Sequence, residues 1–142
     1  MADNHDKATR SYTMSRIKSS DTKPELIVRK YLHSKGLRFR LHDKNLPGKP
    51  DVVLKKFKTV IFINGCFWHN HENCKYGKIP KTKTEWWREK LNKTKERDKK
   101  AVEDMKMLGF NVIVIWECSL EKDKREETLE NLIIKLKYNL RQ

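Results

Sequence analysis

Two short runs of β-branched and aromatic residues, Val60-Ile61-Phe62-Ile63 and Val112-Ile113-Val114-Ile115-Trp116, most constrain what this chain can fold into. Charged residues make up 37% of the 142 residues and the mean hydropathy is −0.88, values that by themselves point toward disorder. Gathering the apolar residues into such runs reverses that reading, because a run of this length bounded by Gly and polar residues is a buried strand. The length suits one domain with a modest core. No apolar stretch approaches the roughly 18 residues of a membrane span, and MADNHDKATR lacks the hydrophobic region of a signal peptide, so the chain reads as soluble and intracellular.

The remaining elements follow from local signals. Thr22-Lys23-Pro24-Glu25 has capping-box spacing, precedes Leu26, Ile27, Val28, Tyr31 and Leu32 at helical spacing, and Gly36 closes the helix. Arg38 to Leu41 alternates as a half-exposed strand, Asn45 to Pro50 is a turn, and Asp51 to Leu54 and Thr59 to Ile63 are strands joined by a basic link. Residues 64–81 form a loop bearing Gly, His and Cys. A long helix runs from about Thr84 to Leu108, with Trp87, Leu91, Val102, Met105 and Leu108 along one face, and stops at Gly109. Strand 111–116 and an amphipathic helix over about 123–139, bearing Leu129, Leu132, Ile133, Leu136 and Leu140, complete the chain. This order predicts one α/β domain, a small mixed sheet flanked by helices. Residues 1–18 form a basic arm or short helix that nothing obliges to pack, with 19–142 as the folded domain.

Charge narrows the partner. Of the net +14, residues 1–40 carry +6 and residues 75–100 carry +7, whereas residues 117–142 sum to zero. Two basic surfaces and a neutral end are the footprint of nucleic-acid binding rather than of a uniformly solvated lysine-rich surface.

Chemistry concentrates in a few residues. The three cysteines, an odd number, exclude complete internal disulfide pairing and favour a reducing compartment. Cys66, His71 and Cys74 have Cys-x4-His-x2-Cys spacing, and Cys118 follows a strand; three thiolates and an imidazole suit a closed, structural Zn²⁺ site, with His69 and His5 as competing nitrogen donors. Such a metal would give a polar loop the core it otherwise lacks. Asp51, after Pro50 at a strand start, reads by itself as an ordinary turn aspartate, but the company of Glu25 on the preceding helix and His69 after the following strand makes it a candidate ligand of Mg²⁺, which needs only one or two carboxylates. Glu25 is a second acid that also serves its capping box. His69 is a candidate general base. Phe67-Trp68 and Trp86-Trp87 lie beside basic sequence, as aromatics that stack on or wedge between bases do, although Trp87 also falls on the core face of its helix.

The stretches MADNHDKATRS, LPGKPDVV around Asp51, VIFINGCFWHNH, KTEWWREKLNKTKERD and VIVIWEC resemble the very short patch repair (Vsr) endonucleases along nearly the whole chain. The resemblance implies a three-layer α/β/α nuclease domain of the PD-(D/E)XK type. It also implies a strand-specific nick 5′ to the T of a T·G mismatch left by deamination of 5-methylcytosine. It carries the Mg²⁺-binding aspartate to Asp51, a main-chain carbonyl ligand to Ile63, the auxiliary acid to Glu25, the catalytic histidine to His69 and its orienting acid to Asp98. The structural Zn²⁺ ligands fall on Cys66, His71, Cys74 and Cys118. The DNA wedge falls on Phe67, Trp68 and Trp87, and mismatch contacts on Met14 and Lys90. A bacterial, nucleoid-associated monomer acting on mismatched double-stranded DNA, with mismatch-repair proteins and a DNA polymerase as partners, completes the implied picture.

Three departures stand out: Ile63 replaces the family's usual Thr, Asn64 replaces an active-site His, and the thiol loop has one additional residue between His71 and Cys74. They keep open a related nickase with another mismatch or site specificity. A non-catalytic, zinc-stabilised DNA-binding module is the alternative from a different class.

Overall fold

The structure, a computed structural model, describes residues 22–140. Helix α1 (Lys23–Ser34) begins where the capping signal places it: the Thr22 hydroxyl accepts from the Glu25 N–H, and Pro24 occupies the first turn. Strands β1 (Arg40–Leu41), β2 (Val52–Leu54) and β3 (Thr59–Asn64) follow, then helix α2 (Thr84–Met107), strand β4 (Asn111–Trp116) and helix α3 (Arg125–Leu140). A single-turn helix, Lys55–Phe57, replaces a simple link between β2 and β3, and another, Lys75–Gly77, interrupts the long loop before α2.

The sheet order is β1-β2-β3-β4, antiparallel except for the parallel β3–β4 pair, whose strands are connected through α2. A parallel pair requires such a crossover, which sets the helix between the two apolar runs. Alternation along the strands separates two clusters. Val52, Leu54, Ile61, Ile113 and Ile115 pack with Val28 and Leu32 of α1 and Leu129, Leu132 and Leu136 of α3. Val53, Val60, Phe62 and Val112 pack with Met105 of α2. Helices therefore cover both faces of a mixed sheet.

Three boundaries differ from the sequence reading. The strand expected over 38–41 shrinks to two residues, because it pairs only with Val52 and Val53 at the sheet margin. Leu108 and Leu140 sit at helix ends and are largely exposed rather than core. The last helix starts at Arg125, after the Leu120 carbonyl has accepted from the Arg125 side chain.

The topology converges on one end of the sheet. Because β2 runs against β3 and β3 runs with β4, the start of β2 (Asp51) and the ends of β3 (Ile63, Asn64) and β4 (Trp116) lie together.

Candidate active site

Asp51 precedes β2 and ties it to β3 twice. Its N–H donates to the Ile61 carbonyl at 3.1 Å, and its Oδ2 accepts from the Ile63 N–H at 2.6 Å. In an extended strand the N–H and C=O of one residue point to the same edge, so the Ile63 carbonyl faces the edge that Asp51 occupies. Glu25, in the first turn of α1, is almost wholly buried. Its Oε1 meets His42 Nε2 at 3.0 Å and its Oε2 meets Arg29 at 3.3 Å. Donor atoms of Glu25, His42 and Asp51 all lie within 4.8 Å of one another. Burial, together with the neighbouring Glu25 carboxylate, pushes the Asp51 carboxyl up to about 7, against the opposing pull of the Ile63 N–H. Two acids this close hold a proton or a cation, and the hard oxygen donors fit a small divalent ion.

His69 sits in the turn after β3, its N–H donating to the Gly65 carbonyl. Its Nδ1 meets Asp98 Oδ2 of α2 at 2.5 Å. With Nδ1–H given to the carboxylate, Nε2 is left as a proton acceptor. Asp51, Ile63 and His69 line two adjoining hollows. One, of about 580 Å³, is bounded by Phe67 and Trp68; the other, of about 1070 Å³, has Lys44 and Lys49 along one wall and Arg97, Lys99 and Lys106 of α2 along the other.

Cys66, His71, Cys74 and Cys118 bring one donor atom each within 4.8 Å. The Cys118 N–H donates to Cys66 Sγ at 3.3 Å, and Cys118 Sγ lies 3.5 Å from His71 Nδ1. A tetrahedral ion with bonds of about 2.3 Å to sulfur and about 2.0 Å to nitrogen has sulfur–nitrogen edges of roughly 3.5 Å, the separation of Cys118 Sγ and His71 Nδ1. Burial, reinforced by the adjacent Cys118 and Cys74 thiols, pushes Cys66 up to about 12, so the three sulfurs cannot all be anionic without a cation among them. His71 stacks on Trp116 at 3.9 Å and 7° between planes, fixing the ring from β4. His71, not His69, is thus the nitrogen donor of the cluster; His5 lies outside the described residues.

Phe67, Trp68 and Trp87 form a cluster with centroids 5.1–6.2 Å apart, and Trp86 joins it through Trp87 at 4.8 Å. Lys90 lies over Trp86, Trp87 and Trp68 at 4.9, 5.8 and 6.0 Å, within cation–π range. Trp87 therefore belongs to a partly exposed aromatic platform rather than to the core beneath α2. Met14 and the 1–18 arm lie outside the described residues. Three residues went unnoticed in the sequence: His42, Arg29 and Trp116. Arg29 stands four residues after Glu25, a helical pairing distance, whereas His42 and Trp116 carry no comparable local signal.

A buried carboxylate and a His–Asp pair lining one hollow, at the end of a small mixed sheet with a lysine-lined groove, place the chain among α/β proteins with a site suited to a phosphorylated, polyanionic substrate. Residues 2–75 match the sequence model of the family described as DNA mismatch endonuclease Vsr. Over 138 residues, 96% of this chain and 98% of the relative, the sequence is 47% identical to the type II nicking enzyme V.NmeAIP of Neisseria meningitidis serogroup A. It is 47% identical over 120 residues, 84% of this chain and 76% of the other, to the DNA mismatch endonuclease Vsr of Escherichia coli K12. The type II nicking enzyme V.XorIIP of Xanthomonas oryzae is 39% identical over 134 residues, 94% and 98% of the two chains. The chain belongs to the Vsr family and is a DNA mismatch endonuclease. No described helix is long and apolar enough to cross a membrane.

Proposed function

We propose that this endonuclease nicks one strand of double-stranded DNA 5′ to the T of a T·G mismatch, in a Mg²⁺-dependent hydrolysis within a PD-(D/E)XK-type fold. The observation that carries this reading is the His69–Asp98 pair beside the Asp51 and Ile63 oxygens, a base and a cation cradle on one wall. Asp51 and the Ile63 carbonyl would hold the ion, with the Glu25 carboxylate beside them. Bound there, Mg²⁺ would neutralise negative charge on the phosphoryl oxygens and on the departing 3′ oxygen. His69 Nε2 takes a proton from the attacking water as its oxygen bonds to phosphorus. The bond to the 3′ oxygen breaks, that oxygen is protonated from solvent, and the nick carries a 3′ hydroxyl and a 5′ phosphate. Asp98 keeps the imidazole in the tautomer that accepts and balances the charge it gains.

Zn²⁺ is assigned to Cys66, His71, Cys74 and Cys118, where it stiffens the loop that carries His69, Phe67 and Trp68. Phe67, Trp68 and Trp87 wedge beside the mismatch, a step already weakened in stacking, with Lys90 and Met14 as mismatch contacts. The enzyme acts as a monomer within mismatch repair, upstream of a DNA polymerase that fills from the nick.

Single-turnover nicking of a T·G duplex with Mg²⁺ tests the reading against matched and other mismatched duplexes. His69→Ala is expected to cost at least about 100-fold in rate. Equal nicking by wild type and His69→Ala defeats the catalytic assignment, and equal rates on all duplexes defeat the T·G assignment.

A further inference from the structure

The two acids proposed for the cation site come from elements that share no backbone pairing: Glu25 from the first turn of α1, Asp51 from the start of β2. One residue touches both. His42 reaches Glu25 Oε1 with its Nε2 at 3.0 Å, and its own N–H donates to the Asp51 carbonyl at 3.3 Å. We infer that His42 is a positioning residue for the nuclease reaction, a strut that aligns the Glu25 carboxylate with Asp51 so that both face one divalent cation. The inference rests on the reading of Asp51 as a cation ligand and adds a residue to it.

The contact set carries it. A carboxylate buried to 2% exposure has Oε2 engaged by Arg29 and Oε1 by His42, and each of these donors constrains its plane beside Asp51. Arg29 stands on the same helix, four residues on, so this contact fixes Glu25 relative to α1. His42 stands outside that helix, just beyond β1, and therefore fixes Glu25 relative to the sheet, where Asp51 lies. Partners of this kind orient metal-binding carboxylates, and their loss typically costs 10–100-fold in metal affinity or activity.

His42 has φ of +47°, in the left-handed region that glycine adopts freely. Five other described non-glycine residues, Lys49, Lys58, Asn70, Asn73 and Lys83, share that region, so the contacts rather than the conformation single His42 out. The imidazole is 29% exposed, so it carries little of the core.

His42→Gly is the informative variant because it keeps, and relaxes, the left-handed turn and retains the N–H to Asp51 while deleting the side chain. His42→Gln returns a neutral donor of similar reach. Mn²⁺ binding, read from loss of the free-ion electron paramagnetic resonance signal, is measured alongside the Mg²⁺ dependence of T·G nicking, with melting temperature as the control for folding. The expected result is a 10-fold or greater rise for His42→Gly in both the Mn²⁺ dissociation constant and the Mg²⁺ concentration for half-maximal nicking. Excess Mg²⁺ restores the rate, the melting temperature falls by no more than a few degrees because relief of the left-handed turn offsets the donor lost to Glu25, and His42→Gln stays within about threefold of wild type. Values for His42→Gly within twofold of wild type overturn the inference. So does a His42→Gln variant as weak as His42→Gly, since the hydrogen bond to Glu25 is then not what acts. Asp51→Asn separates the two levels: if it keeps wild-type Mn²⁺ binding and nicking, the cation reading itself falls; if it abolishes both while His42→Gly does not weaken them, only the role of His42 falls.

Discussion

Asp51 shows how one position sets both chemistry and a stability cost. Its carboxyl titrates at about 7 instead of its ordinary 3.8, first because it is buried and then because Glu25 is beside it. The folded state therefore holds this proton more tightly than the unfolded chain. The resulting contribution to stability is fully present below about pH 3.8 and is lost as the pH rises through 7. Above that, the metal-free protein carries an ionised acid in a site that disfavours it. Asp51→Asn keeps an oxygen to accept from the Ile63 N–H while removing the charge. In protein dialysed free of Mg²⁺ but retaining zinc, the substitution is expected to raise the melting temperature at pH 8 by on the order of 3–5 °C, with the gain vanishing near pH 4. Mg²⁺ should raise the melting temperature of wild type at pH 8 and leave Asp51→Asn unmoved. A melting difference between the two proteins that does not change with pH would contradict the origin assigned to it. The site that is costly when empty is the same site that favours a cation, so the strain and the proposed chemistry are one arrangement.

At the scale of elements, the loop between β3 and α2 binds the molecule's functions together. It carries Cys66, His71 and Cys74 of the thiol cluster, His69 of the proposed base and Phe67 and Trp68 of the aromatic platform, with Cys118 arriving from beyond β4. Within it, a Cβ at Gly77 would overlap the backbone of His71, so the loop can close only with glycine there. Cys118→Ala and Gly77→Ala should each lower zinc content below one ion per chain and lower the melting temperature. Stoichiometric zinc in purified Cys118→Ala, measured by plasma mass spectrometry, would rule out the ligand assignment. The elements themselves were legible wherever the signal is local. The capping box opened α1, and the β-branched runs became β3 and β4. The cluster of Cys66, His71, Cys74 and Cys118 could be read from spacing because donor types this rare announce themselves. His42 could not, because its meaning depends on a left-handed turn that returns it to Glu25, 17 residues upstream. Trp87 was ambiguous for a related reason: helical period gives the face of α2 it occupies, but only the position of the preceding loop shows that face meeting Phe67 and Trp68 instead of core.

For the whole molecule, the excess charge and the proposed chemistry belong to different residues of one groove. The net charge of +14 is concentrated in the N-terminal 40 residues and in the stretch that includes the first half of α2, while the reacting wall contributes acids. The groove beside that wall is basic on both sides, with Lys44 and Lys49 before β2 facing Arg97, Lys99 and Lys106 of α2. Phosphate contacts release counterions and carry no sequence information, whereas mismatch discrimination resides in base contacts and deformability. Lys44→Gln and Lys99→Gln remove one charge from each wall without touching Asp51, His69 or the aromatic platform. Each is expected to reduce the slope of log affinity against log salt by about one and to weaken binding to matched and T·G duplexes by the same factor. The double variant should lower the slope by about two, measured by fluorescence anisotropy over a salt series. A change in the ratio of T·G to matched affinity would mean that the groove reads the mismatch as well as gripping the backbone. An unchanged slope would place the duplex elsewhere on the protein. A chain whose composition resembles that of a disordered polycation therefore folds because its small apolar core holds a four-stranded sheet in register, leaving the excess charge at the surface, where the proposed duplex would cancel it.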